Sequence, residues 1–235
     1  MKIGSTVKAD AGYKIDFSRI DNPVEAVLIP PLDFVALSSG KDADAIKGTV
    51  KAGGDQFQIT ASTAKGYAYT YKGKTNQCTI ENTALGANTL TGRIGESEIK
   101  LNVETGLVGI GISGKTGDVE VDETVTMNPG AIMFGGALVT QEGTVGGLEY
   151  QEEFFIAEDE NGKQAILSKG HLGEMEIQRV ITEDEKGNKK IQGHIGDTEV
   201  DEYFIYNPSD NQVDQAKIRE MMKNGWVANN FPPHN

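Results

Sequence analysis

Three charged residues, Glu152, Arg179 and Glu202, each follow by six positions a glycine that begins a predicted turn. Strand alternation places that position on the apolar face of a sheet, where an isolated carboxylate is costly unless it is paired. Equivalent strands of consecutive hairpins lie about 9 to 10 Å apart, a gap that an arginine can bridge. The row predicts a buried ion network, and a β-bulge that turns the row to solvent is the alternative.

The same row is also a candidate ligand-binding or catalytic site. Together with Tyr150 and Phe204 it could line a barrel that holds a small apolar or amphipathic ligand, with the charged row fixing a polar head group. Paired carboxylates could instead carry out the acid–base chemistry of a hydrolase. Because the chain has 35 acidic residues, such pairings arise easily by chance, and no catalytic residue is assigned.

A second arrangement brings together two of the three histidines. His171 is expected across its turn from Glu176, and His194 across from Glu199, all on the polar face. Two histidines and two glutamates suit zinc or nickel by ligand type. The equivalent positions of two earlier hairpins hold Arg93 with Glu98 and Lys115 with Glu120. A basic residue opposite a glutamate in all four hairpins favours cross-strand ion pairs over a metal site, and no cofactor is predicted.

These residues are carried by a short repeat, Gly-x-x-Gly, followed by an acidic residue in four of its five copies. The copies begin at Gly92, Gly114, Gly143, Gly170 and Gly193. The second glycine of each copy stands first in a two-residue turn, where a type II′ hairpin needs positive φ. The flanking residues alternate between apolar and polar, so each copy predicts one antiparallel hairpin.

A longer duplication groups these hairpins into two triplets. Residues 114–129 (GKTGDVEVDETVTMNP) recur as residues 193–208 (GHIGDTEVDEYFIYNP), with nine identities in 16 positions. The chain divides into an N-terminal β segment with a diverged repeat (1–65), a first triplet with an apolar connector (66–142), a second triplet (143–208) and a C-terminal helix and tail (209–235). We expect all four parts to form one continuous domain.

The predicted fold class is all-β, an antiparallel hairpin meander with internal duplication, plus one C-terminal α-helix. A sheet of about 14 strands rarely stays open, so we expect a closed barrel or a two-layer sandwich. The alternative is an elongated array in which each triplet contacts only its neighbours.

The C-terminal helix has clear local signals. Ser209 or Asp210 can cap it, and Gly225 can end it. Residues at helical spacing lie between them: Val213, Ala216 or Lys217, and Met221 or Met222. The apolar residues beyond the helix, Trp226 among them, predict that the tail packs against the body of the protein.

Charge and composition limit the possible partners. With 22 basic and 35 acidic residues the net charge is −13, which repels phosphate backbones, so no nucleic-acid partner is predicted. Charged residues and prolines interrupt the longest apolar stretch, residues 24–37, which predicts no membrane insertion. The single cysteine, Cys78, excludes an intrachain disulfide, and no signal peptide is recognisable, so the sequence favours the cytoplasm.

The sequence favours a non-catalytic structural or assembly protein. In this interpretation the hairpins form a rigid β scaffold, and the helix or an edge strand binds a protein partner or another copy of the chain. The first alternative is a small-ligand-binding β-barrel, and the second is a carboxylate- or metal-dependent hydrolase. An enzyme is less favoured because the sequence contains no nucleophile, metal-protease or nucleotide-binding motif.

Overall fold

A computed structural model of the chain describes residues 13–29, 46–62, 66–84, 86–106, 109–128, 130–131, 135–158 and 162–206. These residues form a closed antiparallel barrel of 14 strands and one short helix. The elements are α1 (Pro23–Leu28), β1 (Ile46–Ala52), β2 (Asp55–Ser62), β3 (Gly66–Tyr71), β4 (Lys74–Ala84), β5 (Ala87–Ile94), β6 (Ser97–Thr105), β7 (Gly109–Thr116), β8 (Val119–Met127), β9 (Val139–Val145), β10 (Leu148–Glu158), β11 (Gln164–Leu172), β12 (Met175–Glu183), β13 (Lys189–Ile195) and β14 (Thr198–Tyr206).

The strands pair in chain order, and β1 pairs with β14 to close the sheet, with Ile46 opposite Tyr206 and Ala52 opposite Val200. The predicted antiparallel meander is confirmed. Of the forms that the sequence left open, the described residues adopt the closed barrel and neither the two-layer sandwich nor the elongated array. The first triplet supplies β3 to β8, the second supplies β10 to β14, and β9 spans the boundary between residues 142 and 143. The segment before the triplets adds α1 and the hairpin β1–β2. The predicted helix and tail, residues 209–235, lie outside the described residues.

The hairpin turns use glycine as the repeat predicts. At Gly95, Gly117, Gly173 and Gly196, φ lies between 54° and 64°, and the acidic residue that follows has no positive φ, as in a type II′ turn. The divergent copy at Gly146 has positive φ at both central residues, as in a type I′ turn. Both turn types match the twist of the strands, which explains why the copy without an acidic residue still forms a hairpin.

The N-terminal segment, residues 15–29, covers the end of the barrel that carries these turns, here named the turn end. The Glu96 amide donates a 2.7 Å hydrogen bond to the Ser18 carbonyl, and the Asp118 amide donates one of 3.1 Å to the Ile20 carbonyl. The Ile20 amide donates in turn to Oγ of Ser97 at 2.8 Å. The segment therefore satisfies backbone groups along successive turns.

Aromatic side chains anchor the start of this segment in the barrel. The Phe17 ring packs edge-on against Phe57 of β2, with the ring centroids 4.8 Å apart. The Tyr69 hydroxyl of β3 donates a 2.9 Å hydrogen bond to the Phe17 carbonyl. All three side chains are buried, and each such burial contributes about 1.5 to 3 kcal/mol. The segment is thus part of the core.

The helix α1 begins at local signals that the sequence carries. Asn22 caps it by accepting a 3.0 Å hydrogen bond from the Glu25 amide, and Pro23 occupies the first turn. Residues 24–28 are all buried, so this helix packs within the core on every side. In the described ranges, no helix combines the length and the apolar character that crossing a membrane requires.

Glu25 fastens the N-terminal segment through a buried carboxylate. Its Oε1 accepts a 2.7 Å hydrogen bond from the Asp16 amide, and its Oε2 accepts one of 3.1 Å from the Asp21 amide. Burial is the largest influence on this group and raises the pKa of Glu25 above its ordinary value of 4.5, although the amide bonds act in the opposite direction.

We expect the stability contributed by Glu25 to decrease as the pH rises above about 4.5. Between that pH and the raised folded-state pKa, the folded protein holds a proton that the unfolded chain has lost, so a rising pH favours unfolding. Urea unfolding of the protein and of Glu25→Gln across this range measures the difference in slope. The non-titrating variant should lack this component, and an identical slope in both proteins would contradict the assignment.

Candidate functional site

The predicted charged row forms an ion pair inside the barrel. Arg179 of β12 donates to Glu152 of β10 through Nε at 2.9 Å and through Nη2 to the second carboxylate oxygen. The same carboxylate accepts hydrogen bonds from the Ser168 hydroxyl and, at 2.8 Å, from the Tyr150 hydroxyl. Glu152 therefore accepts four hydrogen bonds, including a bidentate contact from the guanidinium, which is the strong form of this pair.

Glu202 lies on the other side of the same guanidinium. Its Oε1 is 3.8 Å from Nη1 of Arg179, and both Glu202 and Glu152 have no solvent-accessible surface. One cation thus lies between two enclosed carboxylates that come from strands on either side of it in the barrel. Removing this cation would leave both carboxylates buried without their principal charge partner.

In the first triplet, the glutamate equivalent to Glu202 has a different partner. Glu123 of β8 is also buried, but its Oε2 accepts a 2.8 Å hydrogen bond from Nε2 of Gln141 on β9. The arginine position of that triplet holds the buried Leu101. The two triplets therefore share an inward glutamate and differ in the group that meets it.

Strand glycines explain how such long side chains fit inside the barrel. Glu152 is directly opposite Gly170, and Arg179 is directly opposite Gly193, so neither faces a side chain on the next strand. A Cβ atom at Gly170 would lie 1.8 Å from the Gln151 carbonyl oxygen, and one at Gly193 would lie 2.0 Å from that of Gln178. The first glycine of the repeat therefore permits a close backbone approach, as glycines at barrel bends do.

The enclosure of the row limits the chemistry that it can perform. Arg179 is 3% exposed, and Tyr150 and Phe204, the other predicted ligand contacts, are 1% and 0% exposed. These side chains therefore leave almost no surface that a water molecule or a ligand could contact. Binding of a ligand at this row or proton transfer to a substrate would therefore require the barrel to rearrange. The ligand assignment stays a prediction, and nothing in this geometry favours it.

The histidines lie on the outer face in the predicted register, His171 opposite Glu176 and His194 opposite Glu199. His171 approaches Glu149 instead, with Nε2 4.0 Å from Oε1. Within the part of the chain that the structure covers, no group of three or more His, Cys, Asp or Glu side chains could hold a metal ion. The metal assignment gains no support from this arrangement. At the equivalent site, Lys115 and Glu120 form an exposed 3.4 Å ion pair, as the cross-strand interpretation expects.

Cys78 lies in the barrel core and is inaccessible as a nucleophile. Its Sγ is 3.7 Å from the Arg93 carbonyl, and burial raises the pKa of the thiol. A raised pKa keeps the group in its protonated, unreactive form.

Sequence reasoning missed an apolar row on the outside of the barrel. Phe155, Leu167 and Val180 lie directly opposite one another on β10, β11 and β12. They alternate with inward residues such as Arg179, and all three are partly exposed, Val180 by 37%. We name these three residues the outer apolar row. The sequence does carry a pattern that indicates this row. Consecutive apolar residues at 154–156, 165–167 and 180–181 interrupt strands that otherwise alternate between apolar and polar residues.

No protein-family model matches the chain, and no similar protein was found among curated proteins or solved structures. The structure alone defines the class of protein, which is a closed 14-stranded antiparallel barrel with a buried Glu-Arg-Glu network.

Proposed function

We propose that the protein is a non-catalytic assembly scaffold that associates with a second copy of itself through the outer apolar row. The proposal rests on the outer apolar row, in which three apolar side chains lie side by side on the outer face of adjacent strands. Isolated exposed apolar residues are ordinary, whereas a contiguous set with a polar border is typical of protein interfaces.

On the side that faces the turn end, polar residues border the row and suit contact with another copy. Glu153 and Lys169 are directly opposite each other on β10 and β11, with Gln178 beside them on β12. Their charges balance locally, so the contact avoids much of the repulsion that a net charge of −13 creates elsewhere. A two-fold axis along the strands would place Phe155 of one copy against Val180 of the other and Leu167 against itself.

Closure of the barrel removes the competing mode of association. Each of the 14 described strands is hydrogen-bonded to a neighbour on both sides, so this part of the chain offers no free sheet edge for strand addition. Association through the barrel must therefore use its outer face or its ends. The buried network supports a structural role in addition, because its polar groups are engaged with one another inside the core.

The proposal predicts that Leu167→Glu abolishes self-association. A carboxylate at the centre of the contact should weaken the dimer about 100-fold or more, because it must be desolvated without a partner. Sedimentation velocity over a concentration series measures the effect. Thr124→Glu, at an exposed outward position of β8, adds the same charge away from the row and should associate as the unchanged protein does.

The salt dependence provides a second readout. Since each copy carries −13 charges, a higher ionic strength should strengthen association by screening their repulsion. A protein that sediments as a monomer at every concentration and salt level would refute the proposal. Equal weakening by both substitutions would also refute it, because the effect would then be one of total charge.

A further inference from the structure

The end of the barrel opposite the turn end, here named the distal end, exposes apolar residues. Met127, the last residue of β8, is 47% exposed, and Ile156, near the end of β10, is 45% exposed. Both residues continue the inward-facing alternation of their strands, so they lie at the rim of the interior. The turn end differs, since residues 15–29 bury its apolar side chains.

A concave surface adjoins this rim. Ile156, Ile166 and Ile181 are opposite one another on β10, β11 and β12, and the last two line a cavity of about 550 Å³. Polar and charged residues complete the cavity wall, among them Lys163 and Lys189. The cavity therefore combines an apolar floor with a polar border, the arrangement that suits an amphipathic segment of protein.

The chain itself supplies a candidate for this surface. Strand β14 ends at Tyr206 at the distal end, and 29 further residues follow it. They include the predicted helix with Val213 and Met221, and then the apolar residues Trp226 and Phe231. Because the segment is tethered at the rim, its effective concentration there is on the order of millimolar, which favours it over any free partner.

We propose that residues 209–235 dock on the distal end of their own barrel, with their apolar side chains against Ile156, Ile166 and Met127. This docking is independent of the outer apolar row, because the two surfaces lie on opposite faces of β10 to β12. It supplies the distal end with the apolar cover that residues 15–29 give to the turn end.

Trp226 makes the proposal directly testable, because it is the only tryptophan in the chain. Its fluorescence emission and its quenching by acrylamide are measured in the full-length protein, in Ile156→Gln and in Val180→Gln. The two substitutions are matched, since each makes a partly exposed apolar strand residue polar, one at the distal end and one on the outer apolar row. Circular dichroism confirms that each variant keeps its sheet, and Met127→Gln replaces Ile156→Gln if the latter fails to fold.

We expect native Trp226 to emit at a shorter wavelength, and to be quenched less, than in the urea-unfolded chain. Ile156→Gln should lower the ratio of docked to undocked segments by about tenfold, which moves both signals towards the unfolded values, whereas Val180→Gln should leave them unchanged. Native emission equal to that of the unfolded chain, or equal effects of the two variants, would overturn the proposal. Emission that depends on protein concentration would also overturn it, by placing the segment on a second copy. Self-association is read by sedimentation, so either proposal can fail while the other stands.

Discussion

Arg179→Met should lower the free energy of unfolding by about 3 to 5 kcal/mol, the range found when one partner of a buried ion pair is removed. Methionine fills much of the same volume but donates no hydrogen bond. Glu152 would lose the two hydrogen bonds that Arg179 donates to it. Glu202 would lose the cation that lies 3.8 Å from its carboxylate. Urea unfolding followed by circular dichroism measures the loss.

Two controls separate this effect from a general effect of removing charge. Lys115→Met breaks an exposed ion pair with Glu120 on the same sheet, and such pairs contribute at most about 1 kcal/mol. A triple variant, Arg179→Met with Glu152→Leu and Glu202→Leu, removes all three charges and should recover part of the lost stability, since apolar replacements of buried ion pairs are often neutral. The recovery should be incomplete, because the two buried hydroxyls that donate to Glu152 lose their acceptor. A loss below about 0.5 kcal/mol in Arg179→Met alone would contradict the buried geometry.

For the charged row, strand alternation alone was enough to predict which residues face the interior of the barrel. Counting six residues from each turn glycine predicted that Glu152, Arg179 and Glu202 share the inward face, and all three are buried. The same count places Glu123 inside but does not identify its partner. Gln141 lies on the following strand, in the connector that ends at residue 142, where the repeat no longer fixes the register.

For the N-terminal segment, the local sequence did not determine the secondary structure. Asn22 and Pro23 repeat in sequence the Asn-Pro pairs that follow β8 and β14, and this pattern predicts a diverged β repeat within residues 1–65. The same two residues, with Glu25, also satisfy the rules for a helix start, and the structure forms α1 there. The local sequence is therefore compatible with both a β repeat and a helix. The helix forms because its apolar residues are buried against the turn end of the barrel.

The outer apolar row and the distal end depend on tertiary information. An apolar residue at an outward position looks the same in sequence as one that is covered by another element. Only the closed sheet shows that Phe155, Leu167 and Val180 lie together on three adjacent strands. The number of strands was enough to predict that the sheet closes. It was not enough to predict which end of the barrel the N-terminal segment covers.

The first glycine of the repeat lies within a strand and should tolerate no side chain. Gly170→Ala should destabilise the protein by about 3 kcal/mol or more, because its Cβ would lie 1.8 Å from the Gln151 carbonyl oxygen and only movement of backbone can relieve the clash. Gly193→Ala should behave in the same way, with a corresponding distance of 2.0 Å. Both changes would also push β11 or β13 away from the strand that carries Glu152 or Arg179.

Gly111→Ala is the matched control for this clash, because Gly111 also lies within a strand, β7, and lacks positive φ. A Cβ there would have its nearest neighbour, the Glu104 carbonyl oxygen, at 4.0 Å, so the substitution should change stability by no more than about 1 kcal/mol. The difference between Gly170→Ala and Gly111→Ala in urea unfolding isolates the steric term from the loss of chain flexibility that both share. Equal values would mean that the strands around Gly170 relax easily. In that case the glycines would not be what makes room for Glu152 and Arg179 inside the barrel.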